Sequence, residues 1–312
     1  MDARLTRRSL VAAAAALAGC SPGPGQAQTE PPMPAPGPLI TRRIPSSGEA
    51  LPIVGLGTYQ AFDIAGSGAD FDQAREGLKA FADLGGRLVD SSPMYGEAEA
   101  RIGDLAAALA LRPKLFLATK VWTQGREAGI AQMQASMRKM RAEVIDLMQV
   151  HNLLDLDVHM ATMRAWKDEG KLRYLGVTHY HEGAYGALEA AMRRYPLDAI
   201  QINVSAAERE AEERILPLAA ERGMAVIVNR PFAGGDLFSR LRRQPLPGWA
   251  GEIGAVSWAQ ILLKYVLANP AVTCAIPGTR NPRYIADNLG AANAPFPDAA
   301  QRARIVAAVQ AA

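Results

Sequence analysis

The chain has 312 residues, of which 49% are hydrophobic, 21% charged and 6% aromatic. That apolar fraction is ordinary for a globular protein and excludes collagen, a coiled coil and wholesale disorder. The 34 basic and 31 acidic side chains leave a net charge of +3, and both signs are scattered, so we expect no nucleic-acid partner. Two cysteines, Cys20 and Cys274, are too few for a disulfide framework.

Residues 1–19 have the composition of an export signal. Arg7 and Arg8 precede an uncharged apolar run at 10–18, which is shorter than the about 20 residues that a transmembrane helix needs. A basic stretch before a short apolar run is typical of a secretory signal peptide, and the arginine pair resembles the bacterial twin-arginine signal. The segment LAGC at 17–20 resembles a lipobox, in which Cys20 becomes the lipidated first residue of the mature protein. The alternative is an alanine-rich helix in which the two arginines are adjacent by chance.

These features predict a periplasmic protein whose only membrane attachment is a lipid at Cys20. Residues 21–38, SPGPGQAQTEPPMPAPGP, are mostly Pro, Gly, Ala and polar residues, and this composition is typical of a flexible tether. The predicted organisation is therefore a signal peptide at 1–19, a lipidated cysteine and tether at 20–38, and one folded domain at 39–312. The length of that domain is close to the roughly 250 residues of a typical (β/α)₈ barrel.

In chain order, the first predicted element is a hairpin formed by 39–44 and 51–54 around the turn at 46–49. Short apolar runs then alternate with longer amphipathic stretches. The runs predicted as strands are 53–57, 87–90, 115–119, 146–150, 173–177, 199–202, 224–228 and 273–276. The predicted helices include 70–84, 97–110, 129–141, 159–169, 208–222 and 298–310. This alternation indicates parallel strands joined by helical crossovers.

Two α/β folds are compatible with eight such units. An open dinucleotide-binding sheet would carry the G-x-G-x-x-G fingerprint, but the first strand continues as Gly55-Leu56-Gly57-Thr58-Tyr59-Gln60 and lacks the third glycine. No phosphate-binding G-x-x-x-x-G-K-[ST] loop occurs either. The sequence therefore favours a (β/α)₈ TIM barrel, with the N-terminal β-hairpin closing the N-terminal mouth.

Polar residues follow three successive predicted strands, at the end of a barrel where active sites lie. Asp90 ends the second strand, Lys120 follows the third and His151 follows the fourth, while Tyr95 lies five residues after Asp90. Each residue alone has an ordinary structural explanation, such as a turn cap, a snorkelling lysine or a buried histidine. Because all of them are expected on the same rim of the barrel, the sequence favours a shared catalytic role over these separate explanations.

Three segments resemble the aldo-keto reductase family: Asp90-Ser91 followed by SPMYGEAE at 92–99, TKVW at 119–122, and IDLMQVH at 145–151. The resemblance implies a barrel that binds NADP(H) and reduces an aldehyde or ketone without a metal ion. It implies Tyr95 as proton donor, Lys120 lowering the pKa of Tyr95, Asp90 in a salt bridge with Lys120, and His151 orienting the carbonyl. The alternative on the same barrel is a nucleotide-bound redox-sensing or accessory protein that turns over slowly.

The same resemblance implies a set of ligand-binding residues. It does not predict the oligomeric state. His179 and Asn229 depart from the family pattern, because an asparagine and an aromatic residue, respectively, are usual there. Thr279 and Arg280 suit a 2′-phosphate, while Asp287 and Asn288, expected early in the last barrel helix, match adenine-contacting positions. The full predicted cofactor set is Gly57, Thr58, Thr178, His179, Gln201, Asn229, Phe232, Gly278, Thr279, Arg280, Asp287 and Asn288. The predicted substrate pocket consists of Tyr59, Met94, Trp122 and Asn152.

Overall fold

The computed structural model describes residues 38–312, which include the whole predicted barrel domain. The predicted export signal, Cys20 and the tether up to residue 37 lie outside the described residues. No helix within 38–312 combines the length and apolarity that a membrane crossing requires.

The described chain opens with the predicted antiparallel hairpin of β1 (Thr41–Arg43) and β2 (Ala50–Pro52). Ile44 and Leu51 from this hairpin are buried in one apolar cluster with side chains from the beginnings of the barrel strands, among them Leu88 and Phe116. Glu49 accepts hydrogen bonds from Arg87, Arg173 and Tyr174 at the same end. The hairpin therefore covers the N-terminal mouth of the barrel, as predicted.

Eight parallel strands follow and pair in chain order. They are β3 (Leu56–Gly57), β4 (Leu88–Asp90), β5 (Phe116–Val121), β6 (Ile145–His151), β7 (Leu172–Thr178), β8 (Ala199–Asn203), β9 (Ala225–Asn229) and β10 (Cys274–Ala275). Bridges join Val54 to Ala275 and Gly57 to Gly278, and the Gly55 amide donates to the Ala275 carbonyl at 2.8 Å. These contacts bring the first and last strands together, so the prediction of a (β/α)₈ barrel is confirmed.

Helices surround the strands and bury their apolar sides against them. They are α1 (Ala69–Asp83), α2 (Ala98–Ala108), α3 (Arg126–Lys139), α4 (Leu156–Asp168), α5 (Tyr185–Arg194), α6 (Ile215–Glu221), α7 (Asp236–Leu241), α8 (Trp258–Leu267), α9 (Pro282–Gly290) and α10 (Ala299–Gln310). The glycine after α4, Gly170, adopts φ +76°, the left-handed conformation that ends many helices.

The predicted helix at 208–222 is wrong in its first half. The Ser205 hydroxyl accepts hydrogen bonds from the amides of Ala207 and Glu208, and the Ser205 amide donates to the Glu208 carbonyl. These local bonds hold residues 205–208 in a turn, because a serine side chain competes with the helix for backbone donors. After one further 3-10 turn at Glu210–Glu212, the helix begins only at Ile215.

The barrel interior is apolar near the N-terminal ends of the strands, which we call the lower layer, and polar near their C-terminal ends. Leu88, Phe116, Leu147, Ala199 and Ala225 belong to the lower interior cluster. Side chains alternate between the two faces of a strand, so residues an even number of positions later also point inward. The inward positions nearest the C-terminal ends carry polar side chains: Asp90, Lys120, Gln149, His151, Thr178, Gln201 and Asn229.

Candidate active site

A fully buried ion pair lies between the C-terminal ends of β4 and β5. Lys120 Nζ is 2.6 Å from Asp90 Oδ2 and donates a second hydrogen bond to the Ser91 carbonyl at 2.7 Å. Burial alone would lower the pKa of Lys120, but the Asp90 carboxylate and Tyr95 hold that pKa above its ordinary value. Lys120 is therefore a charged ammonium at neutral pH, and the predicted contact with Asp90 is present.

The second oxygen of Asp90 is held by two side-chain amides. Gln149 Nε2 donates to Oδ1 at 3.1 Å and Gln201 Nε2 at 2.8 Å. Gln149 was not among the predicted site residues, although its position two residues before His151 puts it on the same face of β6. Thr178 donates to Gln201 Oε1 at 3.2 Å. The two glutamines fix the orientation of the carboxylate that neutralises Lys120.

Tyr95 lies on the loop after β4, above this ion pair. Lys120 Nζ is 4.9 Å from the centre of its ring, whose edge-to-face neighbours are Tyr59 at 5.0 Å and His151 at 6.0 Å. Burial raises the pKa of Tyr95, Lys120 lowers it, and Asp90 opposes Lys120 in part. The predicted lowering by Lys120 is present, but the net pKa of Tyr95 lies above its ordinary value, so the expectation of a pKa lowered overall is wrong. Desolvation of the ring outweighs the nearby ammonium.

His151 is buried and neutral. Its Nδ1 lies 3.1 Å from Ser92 Oγ. Burial, reinforced by the charge of Lys120 and by His179, lowers the pKa of His151 to about 3. In the tautomer in which the Ser92 hydroxyl donates to Nδ1, Nε2 carries the proton and is a neutral hydrogen-bond donor.

The predicted substrate residues follow β3, β4, β5 and β6 and form one side of the rim. Tyr59 is 58% exposed, and Met94 and Trp122 are each 40% exposed, which is high for large apolar side chains. Asn152 adopts φ +53°, and its buried Oδ1 has no hydrogen-bond partner. An exposed aromatic and thioether surface beside an unsatisfied acceptor suits a small ligand with both apolar and donor groups.

The predicted cofactor residues lie at the ends of β3 and of β7 to β10. Gly57 and Gly278 form the bridge that closes the barrel, and the Thr58 hydroxyl donates to the backbone carbonyl of Asp90 at 2.9 Å. Asn229 Nδ2 donates to the His179 carbonyl at 2.9 Å. The ring of Phe232 packs against Phe238 at 4.6 Å.

The predicted adenosine residues surround the beginning of α9. Arg280 forms an ion pair with Asp70 at 2.6 Å, and Thr279 Oγ1 accepts from the Asn281 amide at 3.2 Å. Asp287 and Asn288 lie in the second turn of α9 and are buried. The Asp287 carboxylate accepts from the Ser257 hydroxyl at 2.9 Å and from Gln260 Nε2 at 2.8 Å, so it also ties α9 to α8.

Three buried polar atoms on this side of the rim have no hydrogen-bond partner. They are Asn229 Oδ1, Arg230 Nε and Arg280 Nε. Buried polar groups are normally paired, so such atoms mark places where a ligand can complete the hydrogen bonding. Two guanidinium groups and an amide oxygen suit the phosphates and the carboxamide of a nicotinamide dinucleotide. Within 38–312, no group of three or more His, Cys, Asp or Glu side chains is placed to hold a metal ion.

Comparison with known proteins identifies relatives of the same fold. The chain is 28% identical over 258 residues to the methylglyoxal reductase YeaE of Escherichia coli (strain K12), covering 79% of this chain and 88% of the relative. It is 26% identical over 206 residues to the aldo-keto reductase YhdN of Bacillus subtilis (strain 168), covering 61% of each. A crystal structure of an aldo-keto reductase from Klebsiella pneumoniae in complex with NADPH is 24% identical, with a TM-score of 0.71, covering 88% of this chain and 96% of that one. Residues 53–309 match the Aldo/keto reductase family, and the chain therefore belongs to it.

Proposed function

We propose that the protein is an NADP(H)-dependent oxidoreductase that reduces an aldehyde or ketone to an alcohol, with Tyr95 as the proton donor. The observation that carries the proposal is the buried Lys120–Asp90 pair, whose ammonium lies 4.9 Å from the Tyr95 ring centre. The NADPH-bound Klebsiella structure and the methylglyoxal reductase support the choice of cofactor and of a carbonyl substrate.

A nicotinamide held by this site would supply the hydride. Tyr95 is protonated at neutral pH, because burial raises its pKa, and it gives its hydroxyl proton to the developing alkoxide. Lys120 stabilises the phenolate that this transfer leaves, since a fixed ammonium in a buried site favours a nearby negative charge. Asp90 keeps Lys120 in position, and neutral His151 donates from Nε2 to the substrate carbonyl oxygen.

The experiment that tests this proposal is a single-turnover measurement with the full chain, NADPH and a panel of aldehydes that includes methylglyoxal. Tyr95→Phe removes only a hydroxyl, so we expect NADPH affinity to persist while the rate of hydride transfer falls by roughly 10²–10⁴-fold. Tyr195→Phe is the matched control, because that hydroxyl bonds to Asp157, away from the proposed site.

Two results would count against the proposal. Full hydride transfer by Tyr95→Phe would refute Tyr95 as the proton donor. Tight NADPH binding by the wild type, without turnover of any aldehyde on the panel, would favour the slow nucleotide-bound sensor or accessory protein instead.

We also propose that the chain is exported through the twin-arginine route and stays attached to the membrane by lipid on Cys20. The support is the order of Arg7-Arg8, a short uncharged run, LAGC and a Pro/Gly-rich segment before the first strand. A route that carries folded proteins suits a barrel that has to load a dinucleotide from the cytoplasm. Several acyl chains on one cysteine hold a protein at a membrane firmly, whereas a single chain does not.

A further inference from the structure

Gln149 is a fully buried amide on β6, two residues before His151. An amide inside the barrel is costly to bury unless its polar atoms form hydrogen bonds. Its Nε2 donates to Asp90 Oδ1 at 3.1 Å, and its Oε1 accepts from Gln201 Nε2 at 3.3 Å. Gln149 therefore connects the buried ion pair of β4 and β5 to the side chains of β8.

The orientation of this amide is fixed from the other side of the barrel interior. A backbone carbonyl can only accept a hydrogen bond, so the Asn229 atom 2.9 Å from the His179 carbonyl is the nitrogen Nδ2. That nitrogen also lies 3.4 Å from Gln201 Oε1. Gln201 Nε2 is then left to donate to Asp90 Oδ1 at 2.8 Å and to Gln149 Oε1. Because Gln149 Oε1 is thereby the acceptor, its Nε2 has to face the Asp90 carboxylate.

The Asp90 carboxylate acts on Tyr95 in two ways. It keeps Lys120 in place, and its negative charge opposes the effect of Lys120 on the Tyr95 hydroxyl. A hydrogen-bond donor on Oδ1 polarises the carboxylate and draws negative charge away from Oδ2, which faces Lys120. The ammonium is then less completely neutralised, and it stabilises a phenolate at Tyr95 more strongly.

Among the described residues, the other ionisable side chains next to Tyr95 and the carboxylate are uncharged at neutral pH. The ring of His151 lies 6.0 Å from that of Tyr95, and burial lowers the pKa of His151 to about 3. Tyr59, at 5.0 Å, is a second phenol. Cys274 interacts with Asp90 from β10, and burial raises the pKa of its thiol. The charges that act on Tyr95 are therefore those of the buried ion pair.

We propose that Gln149 is a positioning residue for the proton transfer from Tyr95. By donating to Asp90 Oδ1, it leaves more of the Lys120 charge available to the developing phenolate. The inference rests on the proposed carbonyl reduction. In that reaction the carbonyl carbon takes the hydride from NADPH and the carbonyl oxygen takes the proton from Tyr95 Oη, which leaves NADP⁺ and a phenolate. Gln149 gains and loses no proton and acts only through the ion pair.

The test replaces Gln149 by methionine, which has a similar length but donates no hydrogen bond. Single turnover of the full chain with saturating NADPH uses the panel aldehyde that the wild type reduces fastest. We expect hydride transfer in Gln149→Met to be roughly three- to thirtyfold slower near pH 7, because Tyr95 feels part of the change in one charge-assisted hydrogen bond. The rate should also begin to fall at a higher pH than in the wild type, since Tyr95 keeps its proton longer. NADPH affinity, measured by calorimetry, and the aldehyde concentration at half-maximal rate should stay unchanged.

Gln260→Met is the matched control. Gln260 on α8 is buried, and its Nε2 also donates to a buried carboxylate, that of Asp287, at 2.8 Å. This bond joins two helices outside the barrel strands. Because NADPH is saturating, a change in nucleotide affinity does not alter the measured rate. We expect the pH at which the rate of Gln260→Met falls to match that of the wild type.

The outcomes separate this inference from the proposed function. Transfer in Gln149→Met at the wild-type rate, slower transfer that falls at the wild-type pH, or a loss of NADPH affinity overturns the inference and leaves the proposed function in place. If Gln149→Met does not fold, Gln201→Met removes the other donor to the same oxygen and should move the pH profile in the same direction, and an unmoved profile overturns the inference. Wild-type protein that reduces no aldehyde on the panel overturns the proposed function and this inference with it.

Discussion

Replacing Asp90 by asparagine tests the buried ion pair on which the site is built. The substitution keeps the shape of the side chain but leaves the Lys120 ammonium without its carboxylate. The two glutamine amides that donate to Asp90 Oδ1 require an oxygen there, so the new amide nitrogen faces Lys120 Nζ, donor against donor. Lys120 and Asp90 are only 0% and 3% exposed, so water cannot replace the lost partner.

The expected loss in the free energy of unfolding is about 3–5 kcal/mol at neutral pH, the range for breaking a buried pair by removing one partner. Lys120→Met in the same chain removes the stranded charge. The double variant Asp90→Asn/Lys120→Met should therefore be more stable than Asp90→Asn alone. The difference between the double variant and the sum of the single variants measures the coupling of the pair.

The loss in the free energy of unfolding caused by Asp90→Asn should also depend on pH in a defined direction. In the wild type the pKa of Lys120 is raised, so the stability contributed by the pair is fully present below the unfolded pKa of about 10.4 and is lost as pH rises through the folded pKa. In Asp90→Asn, burial lowers the pKa of Lys120 without the Asp90 carboxylate to oppose it. The destabilisation should then be largest near neutral pH and should shrink as pH rises towards about 10.

Urea unfolding of the full chain at about pH 7 and pH 9.5 measures the loss in the free energy of unfolding and its change with pH. The wild type and the two single variants are compared with the double variant at each pH. A loss of less than about 1 kcal/mol for Asp90→Asn at neutral pH, or a double variant no more stable than Asp90→Asn, would refute the reasoning.

The cofactor site, the charge of His151 and the export signal can each be tested separately. Arg280→Ala should weaken NADPH by roughly ten- to a hundredfold and leave NADH unchanged, and equal weakening of both in a binding titration would contradict a 2′-phosphate contact. Because burial lowers the pKa of His151 to about 3, its ring should stay neutral between about pH 5 and 8, and a titration of the ring in that range by NMR would contradict this. Replacing Arg7-Arg8 by Lys-Lys should block export, and Cys20→Ser should release the protein from the membrane fraction. Wild-type protein found soluble in the cytoplasm with residues 1–19 attached would overturn both the proposed export and the proposed lipid attachment.

The barrel and the order of its polar residues follow from local sequence patterns. Apolar runs alternating with amphipathic stretches are local patterns, and parallel strands place their C-terminal ends on one rim. These patterns alone therefore place Asp90, Lys120 and His151 on one rim of the barrel. Gln149 was not predicted, although the same step of two along β6 places it on an inward face with Leu147 and His151.

The contacts of these side chains and their charge states, in contrast, depend on how the folded barrel brings distant residues together. Gln201 reaches Asp90 across 111 positions of sequence, and Arg280 meets Asp70 across 210. The pKa of Tyr95 is raised because desolvation outweighs Lys120, a balance that depends on how deeply the folded chain buries the ring. Likewise, Glu208 pairs with Arg230 from a turn that Ser205 closes, at the position where the sequence predicts the start of a helix. Periodicity and motifs are local, whereas burial and pairing arise between residues that are brought together only when the barrel closes.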